Sequence, residues 1–164
     1  MMPLRLLMAG ALAMVAGCAS TDGAISTTAS ARTTGEVFAG SFTDTKGQSH
    51  DLKGVLSSGK PVALVFWQPW CGACIAEAPT VIAAHKRLGN DMAFYGVVSG
   101  PDQSVDEASV AKAMFDTGMT YPTIRDRDLR LTKGLGVEIQ PTIVIIEPDG
   151  TVAYQAEAPP AEWH

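Results

Sequence analysis

Trp67-Gln68-Pro69-Trp70-Cys71-Gly72-Ala73-Cys74-Ile75-Ala76-Glu77-Ala78-Pro79 is the stretch on which the reading of this chain turns. It opens at the end of Val62 to Trp67, an apolar run of strand length that fits a strand buried on both faces. A turn follows. From Cys71 to Leu88 the pattern is helical, closed by Gly89-Asn90. Cys71 thus stands where a helix presents unpaired N–H groups and the positive end of its dipole, a setting that favours thiolate and lowers the thiol pKa. Cys74 lies one turn further along the same face, so the two sulfurs can bond. Gly72 and Ala73 are small and leave Cys71 open. Cys71 can attack a partner disulfide, and Cys74 can then resolve the mixed disulfide. Zinc is the competing use of such a pair, but tetrahedral zinc takes four ligands. No second cysteine pair exists, and His85 lies about 16 Å from Cys74 along a straight helix. Neither a metal nor a cofactor is expected.

Met92 to Ser99 and Ile139 to Ile146 read as further buried strands, the second interrupted near its start by Pro141. A proline opening an apolar strand is best explained by a cis bend. Glu147-Pro148-Asp149-Gly150 is a tight turn, after which Thr151 to Tyr154 pairs back. Upstream, Phe42 to Leu52 forms a hairpin turning at Lys46-Gly47. Ser104-Val105-Asp106-Glu107 fits a capping box with Ser104 at the cap, opening a helix to about Asp116. Asp128 to Gly134 reads as a short helix. The expected fold is α/β, a central mixed sheet flanked by helices with an N-terminal hairpin. Ala158 to His164 leaves room for one turn, so the last helix is short or missing. Trp67, Met114 and Phe115 are expected in the core, and His50 and His85 on the surface.

With 164 residues, 46% apolar and 18% charged, the chain suffices for one folded domain. The net charge of −5 and the lack of a basic cluster argue against a nucleic-acid partner. Three cysteines are too few for a disulfide scaffold. The third, Cys18, ends an N-terminal segment in which Arg5 precedes an apolar run, Leu6 to Ala16, too short to span a bilayer. That is the layout of a signal peptide. Val15-Ala16-Gly17-Cys18 resembles the bacterial lipobox, which implies cleavage before Cys18 and a lipid anchor on it, several acyl chains making the attachment stable. Ala19, where an Asp tends to retain lipoproteins at the inner membrane, points to the outer one. Residues 1–17 are therefore assigned to a signal peptide, 18–36 to a lipidated, flexible tether rich in Ala, Ser, Thr and Gly, and 37–164 to the folded domain.

From Phe42 to Tyr154 the chain resembles the TlpA-like (ResA-like) branch of the thioredoxin superfamily, membrane-tethered thiol–disulfide oxidoreductases of bacterial envelopes. Trp70-Cys71-Gly72-Ala73-Cys74 matches its W-C-x-x-C, Glu77 and Pro79 match C-x-x-C-x-x-E-x-P, and Gly136 to Thr142 matches the segment ending in a cis-proline, here Pro141, that faces the cysteines. The resemblance implies protein thiol and disulfide substrates docking at Trp70 and Gln140, a membrane electron donor, work as a reductase, and a link to cytochrome c maturation. It also implies that Glu77 takes the Cys74 proton, because Val65 stands where thioredoxins proper have a buried Asp. Gln140 departs from the smaller or apolar residue usual before the cis-proline. A redoxin-type peroxidase is the alternative. It needs a Thr three residues before its reactive Cys, and here that residue is Gln68. Copper carriers of this fold use a longer C-x-x-x-C.

Overall fold

The computed structural model describes residues 34–163. Its centre is β3 (Val62–Trp67), a run of aliphatic, β-branched and aromatic residues in which every side chain is buried. β3 pairs in parallel with β4 (Ala93–Ser99), which pairs in parallel with β5 (Thr123–Asp126). On its other side β3 pairs antiparallel with β6 (Thr142–Ile146), and β6 with β7 (Val152–Ala156). The sheet order is β5-β4-β3-β6-β7, a mixed sheet as the alternation of elements predicts.

Alternation along β3 divides the interior in two. Ala63, Val65 and Trp67 join one core with Cys74, Ala78, Val81 and Ile82 of α3 (Gly72–Leu88) and Val110 and Ala113 of α4 (Glu107–Thr117). Val62, Leu64 and Phe66 join another with Val37 of α1 (Thr34–Val37), Leu52 and Leu56 of α2 (Leu52–Ser57) and Leu131 of α5 (Arg130–Gly134). A fully buried side chain of this size contributes about 1.5–3 kcal/mol, so a break in either helical layer exposes half of the domain's apolar interior.

The hairpin is present as β1 (Phe42–Thr43) and β2 (Ser49–His50), with Gly47 at φ +77° in the turn. Several expectations are corrected. α1 begins at Thr34, inside the segment assigned to the tether, and Thr34 Oγ1 donates to Gly150 O at 2.7 Å. The cap of α4 is Asp106, whose carboxylate accepts from Ser109 N at 2.8 Å; Ser104 lies in the preceding turn. Phe115 is 86% exposed and belongs to no core. His85 is half-buried and packs edge-on against Phe94 and Tyr121, while His50 is bonded to Asp44 at 2.9 Å. The last helix, expected to be short or missing, does not occur among the described residues after β7. Trp163 instead packs against Phe94, ring centroids 5.3 Å apart, and so covers part of the α3 side of the sheet.

Candidate active site

β3 ends at Trp67, and Gln68 to Cys71 is a β-turn closed by Cys71 N–H donating to Gln68 O at 3.0 Å. Pro69 occupies the second position of this turn, where its fixed φ is favoured. α3 then starts, and Cys71 is its N-cap. The Cys71 sulfur accepts from Cys74 N–H at 3.1 Å, the role a Ser or Asp oxygen usually fills at a helix start. The same amide and the helix dipole stabilise a thiolate there.

Cys71 and Cys74 form a disulfide, with an S–S distance of 2.10 Å. The two differ in access. Cys74 is 4% exposed and packed in the α3 core, whereas Cys71 is half-buried. A partner sulfur approaching from solvent therefore meets Cys71 first. The Cys71 sulfur lies 3.7 Å from Gln140 O, and the Gln140–Pro141 peptide is cis. The loop before β6 thus forms one wall of the site.

Trp70 is 64% exposed beside the disulfide. It and Pro69 line an open groove of about 300 Å³ against Ser109, Lys112, Ala113 and Asp116 of α4. Glu77, one turn beyond Cys74, is half-buried. Burial pushes its carboxyl above the usual carboxylate range, and among the described residues it has no hydrogen bond or ion pair. Cys71, Cys74, Trp70, Gln140 and Pro141 therefore gather at one end of the sheet, with Glu77 on the same helix as the cysteines. Cys18 lies outside the described residues.

Sequence reasoning passed over the polar floor of this end. Gln68 is buried, and its Nε2 donates to Ser99 O at 2.8 Å. Thr132 Oγ1 donates its one proton to Asp126 Oδ2 at 2.6 Å, so at the 2.7 Å contact with Ser99 it is the Ser99 hydroxyl that donates. Arg125, fully buried, donates to the carbonyls of Val98, Gly100 and Val105 and pairs with Glu107. The only sequence signal, for Ser99, Arg125 and Asp126, was polar residues inside otherwise strand-like runs. Among the described residues no group of three or more His, Cys, Asp or Glu is placed to hold a metal.

A parallel strand feeding a helix that opens on two cysteines, with a cis X-Pro peptide across from them, defines the thioredoxin-like class. Within it the chain belongs to the Redoxin family, whose model matches residues 29–162. The soluble secreted antigen MPT53 of Mycobacterium tuberculosis is 30% identical over 116 residues, 69% of this chain and 62% of that protein. The thiol-disulfide oxidoreductase ResA of Bacillus subtilis is 28% identical over 109 residues, 66% of this chain and 58% of that protein. The chain thus spans less than two thirds of the length of these relatives. The crystal structure of a secreted Mycobacterium tuberculosis disulfide oxidoreductase homologous to Escherichia coli DsbE superposes with a TM-score of 0.63 at 26% identity, covering 79% of this chain and 90% of that one.

Proposed function

We propose that the protein is an envelope thiol–disulfide oxidoreductase that reduces protein disulfides through Cys71 and Cys74. The observation that carries this is the Cys71–Cys74 disulfide at the start of α3, one sulfur accessible and the other buried. Related proteins bearing the name thiol-disulfide oxidoreductase support it. In the dithiol state the Cys71 thiolate attacks a partner disulfide, forming a Cys71–partner bond and releasing one partner thiolate. Cys74 gives its proton to Glu77 and attacks the Cys71 sulfur, which closes the internal disulfide and releases the second partner thiolate. Two electrons pass to the partner, and a membrane dithiol donor restores them.

Trp70 and the groove beside it, with Gln140 opposite, dock the substrate, and Pro141 holds the Gln140 carbonyl towards Cys71. Cys18 carries a lipid anchor after removal of residues 1–17, and the segment after it tethers the domain to the membrane, the outer one by the identity of Ala19. Apocytochrome c is the substrate class that the TlpA-like resemblance favours.

The test is to incubate the reduced protein with insulin and, separately, with hydrogen peroxide. Catalytic insulin reduction with slow, non-catalytic peroxide consumption is expected. Fast peroxide turnover without insulin reduction would establish the peroxidase reading instead.

A further inference from the structure

We infer that Gln68 is a positioning residue for Cys71, its side-chain amide holding the active-site turn in the geometry that stabilises the Cys71 thiolate. This rests on the thiol–disulfide reading above, but it concerns the reactivity of one sulfur and can be measured without any protein substrate.

Gln68 is anchored twice. Its main-chain oxygen accepts from Cys71 N–H at 3.0 Å, and its side-chain Nε2 donates to Ser99 O at 2.8 Å. The first bond closes the turn that sets Cys71 as the cap of α3. The second ties that turn to the neighbouring strand, at a point held by the sheet itself. Ser99 is in register with Asp126 on β5, and Gly100 N–H donates to Asp126 O at 3.0 Å. Gln68 is 7% exposed, and its Oε1 has no hydrogen-bond partner among the described residues. A buried amide with one unpaired oxygen is a poor choice for filling space, because an apolar side chain would bury the same volume without the unpaired group. What the amide supplies that an apolar residue cannot is the donor to Ser99 O.

The chemical consequence falls on Cys71. Its sulfur is stabilised by Cys74 N–H at 3.1 Å and by the aligned amides of the first turn of α3. Such bonds weaken steeply when distance or angle drifts. With the Gln68 donor removed, Ser99 O is left unpaired and the turn keeps only its own internal bond and Pro69. Cys71 then moves off the amides that hold its charge, and less thiolate is present at a given pH.

The test measures the pH dependence of Cys71 alkylation by iodoacetamide in reduced Cys74→Ser protein, with Gln68 or with Gln68→Met, which keeps length and removes the donor. The midpoint is expected to rise by about half a unit or more, so that the alkylation rate at pH values well below the midpoint falls about threefold. Thr132→Val, in the same background, breaks the Ser99–Thr132–Asp126 chain without touching the Gln68 bond. It is expected to lower thermal stability and leave the midpoint where it was. An unmoved midpoint in Gln68→Met, or an equal shift in Thr132→Val, overturns the inference. Should Gln68→Met not fold, the same question is put to the unmutated protein by NMR. The Gln68 side-chain amide protons must exchange slowly with water in both redox states, and exchange at the rate of a free amide in the dithiol overturns the inference. Absence of insulin reduction by the unmutated protein, with the midpoint shift intact, would refute the proposed function and leave Gln68 as a positioning residue.

Discussion

Reduction of the Cys71–Cys74 bond is the perturbation that tests the direction of electron flow. The bond closes a loop of four residues, since its ends are three apart in sequence. In the chain-entropy model a loop this small still stabilises the folded state by about 2 kcal/mol. For a folded unit of about 130 residues that corresponds to a melting temperature about 7 °C higher for the oxidised protein. The opposing effect belongs to the dithiol, where the Cys71 thiolate gains Cys74 N–H and the start of α3. A thiol held more acidic in the folded state contributes stability above its unfolded pKa, and loses it as the pH falls through the folded value. Melting at pH 5 therefore isolates the loop-closure effect. The oxidised form should lead there by the full margin, and the gap should narrow towards pH 9, by about 1.4 kcal/mol for each unit by which the thiol is acidified. Calorimetry of both redox forms at the two pH values is the assay. A disulfide that stabilises the fold resists reduction, and about 2 kcal/mol is about 40 mV towards a reducing dithiol. A reduced protein that melts at or above the oxidised one at pH 5 would refute the argument and with it the assignment as a reductase.

Cys74→Ser should accumulate mixed disulfides with partners on non-reducing gels and Cys71→Ser should accumulate few; equal trapping would reverse the assignment of the attacking sulfur. Glu77→Gln should slow release of the reduced partner roughly a hundredfold in single-turnover kinetics while leaving the first attack intact. Because burial raises the Glu77 carboxyl, the stability it lends belongs to its protonated form and is lost as pH rises through the folded value. Glu77→Gln should therefore be at least as stable as the parent at pH 7, and a clear loss there would show an unrecognised partner for the carboxylate. Gly96→Ala should cost about 1–3 kcal/mol, read as a lower urea midpoint at unchanged slope; its Cβ would fall 2.6 Å from Thr123 Oγ1 and 2.9 Å from Trp67 Nε1, and an unchanged midpoint would mean that this interior is looser than described. Cys18→Ser should leave an unprocessed or mislocalised precursor in cell fractions, and recovery of the unmutated mature protein free in the soluble fraction would remove the lipid anchor.

What was legible in the sequence follows from which residues carry a local signal. β3, β4 and β6 are continuous apolar runs, and the cysteines with Gly72 and Ala73 mark the start of α3 without help from the rest of the chain. β5 went unread because two of its four residues are Arg125 and Asp126, charged side chains whose burial depends on partners distant in sequence. α2 went unread because only Leu52 and Leu56 of its six residues are buried, one turn apart and with Gly54 between them. Asp106 and Ser104 are both good caps, and local sequence cannot choose between them. Gln68 had no signal at all, since its role depends on a carbonyl 31 residues away.

The pairing of β3 with β6, Phe66 opposite Thr142, has a consequence for how the site is assembled. The elements from β3 to β5 join neighbours in sequence and can form early, with the cysteine turn complete. The ladder that brings Gln140 against Cys71 must close a far longer loop, which is entropically the slower event. A chain folding as it emerges thus carries a reactive, uncovered dithiol before its last wall arrives. That interval is when it is most exposed to pairing with a wrong thiol.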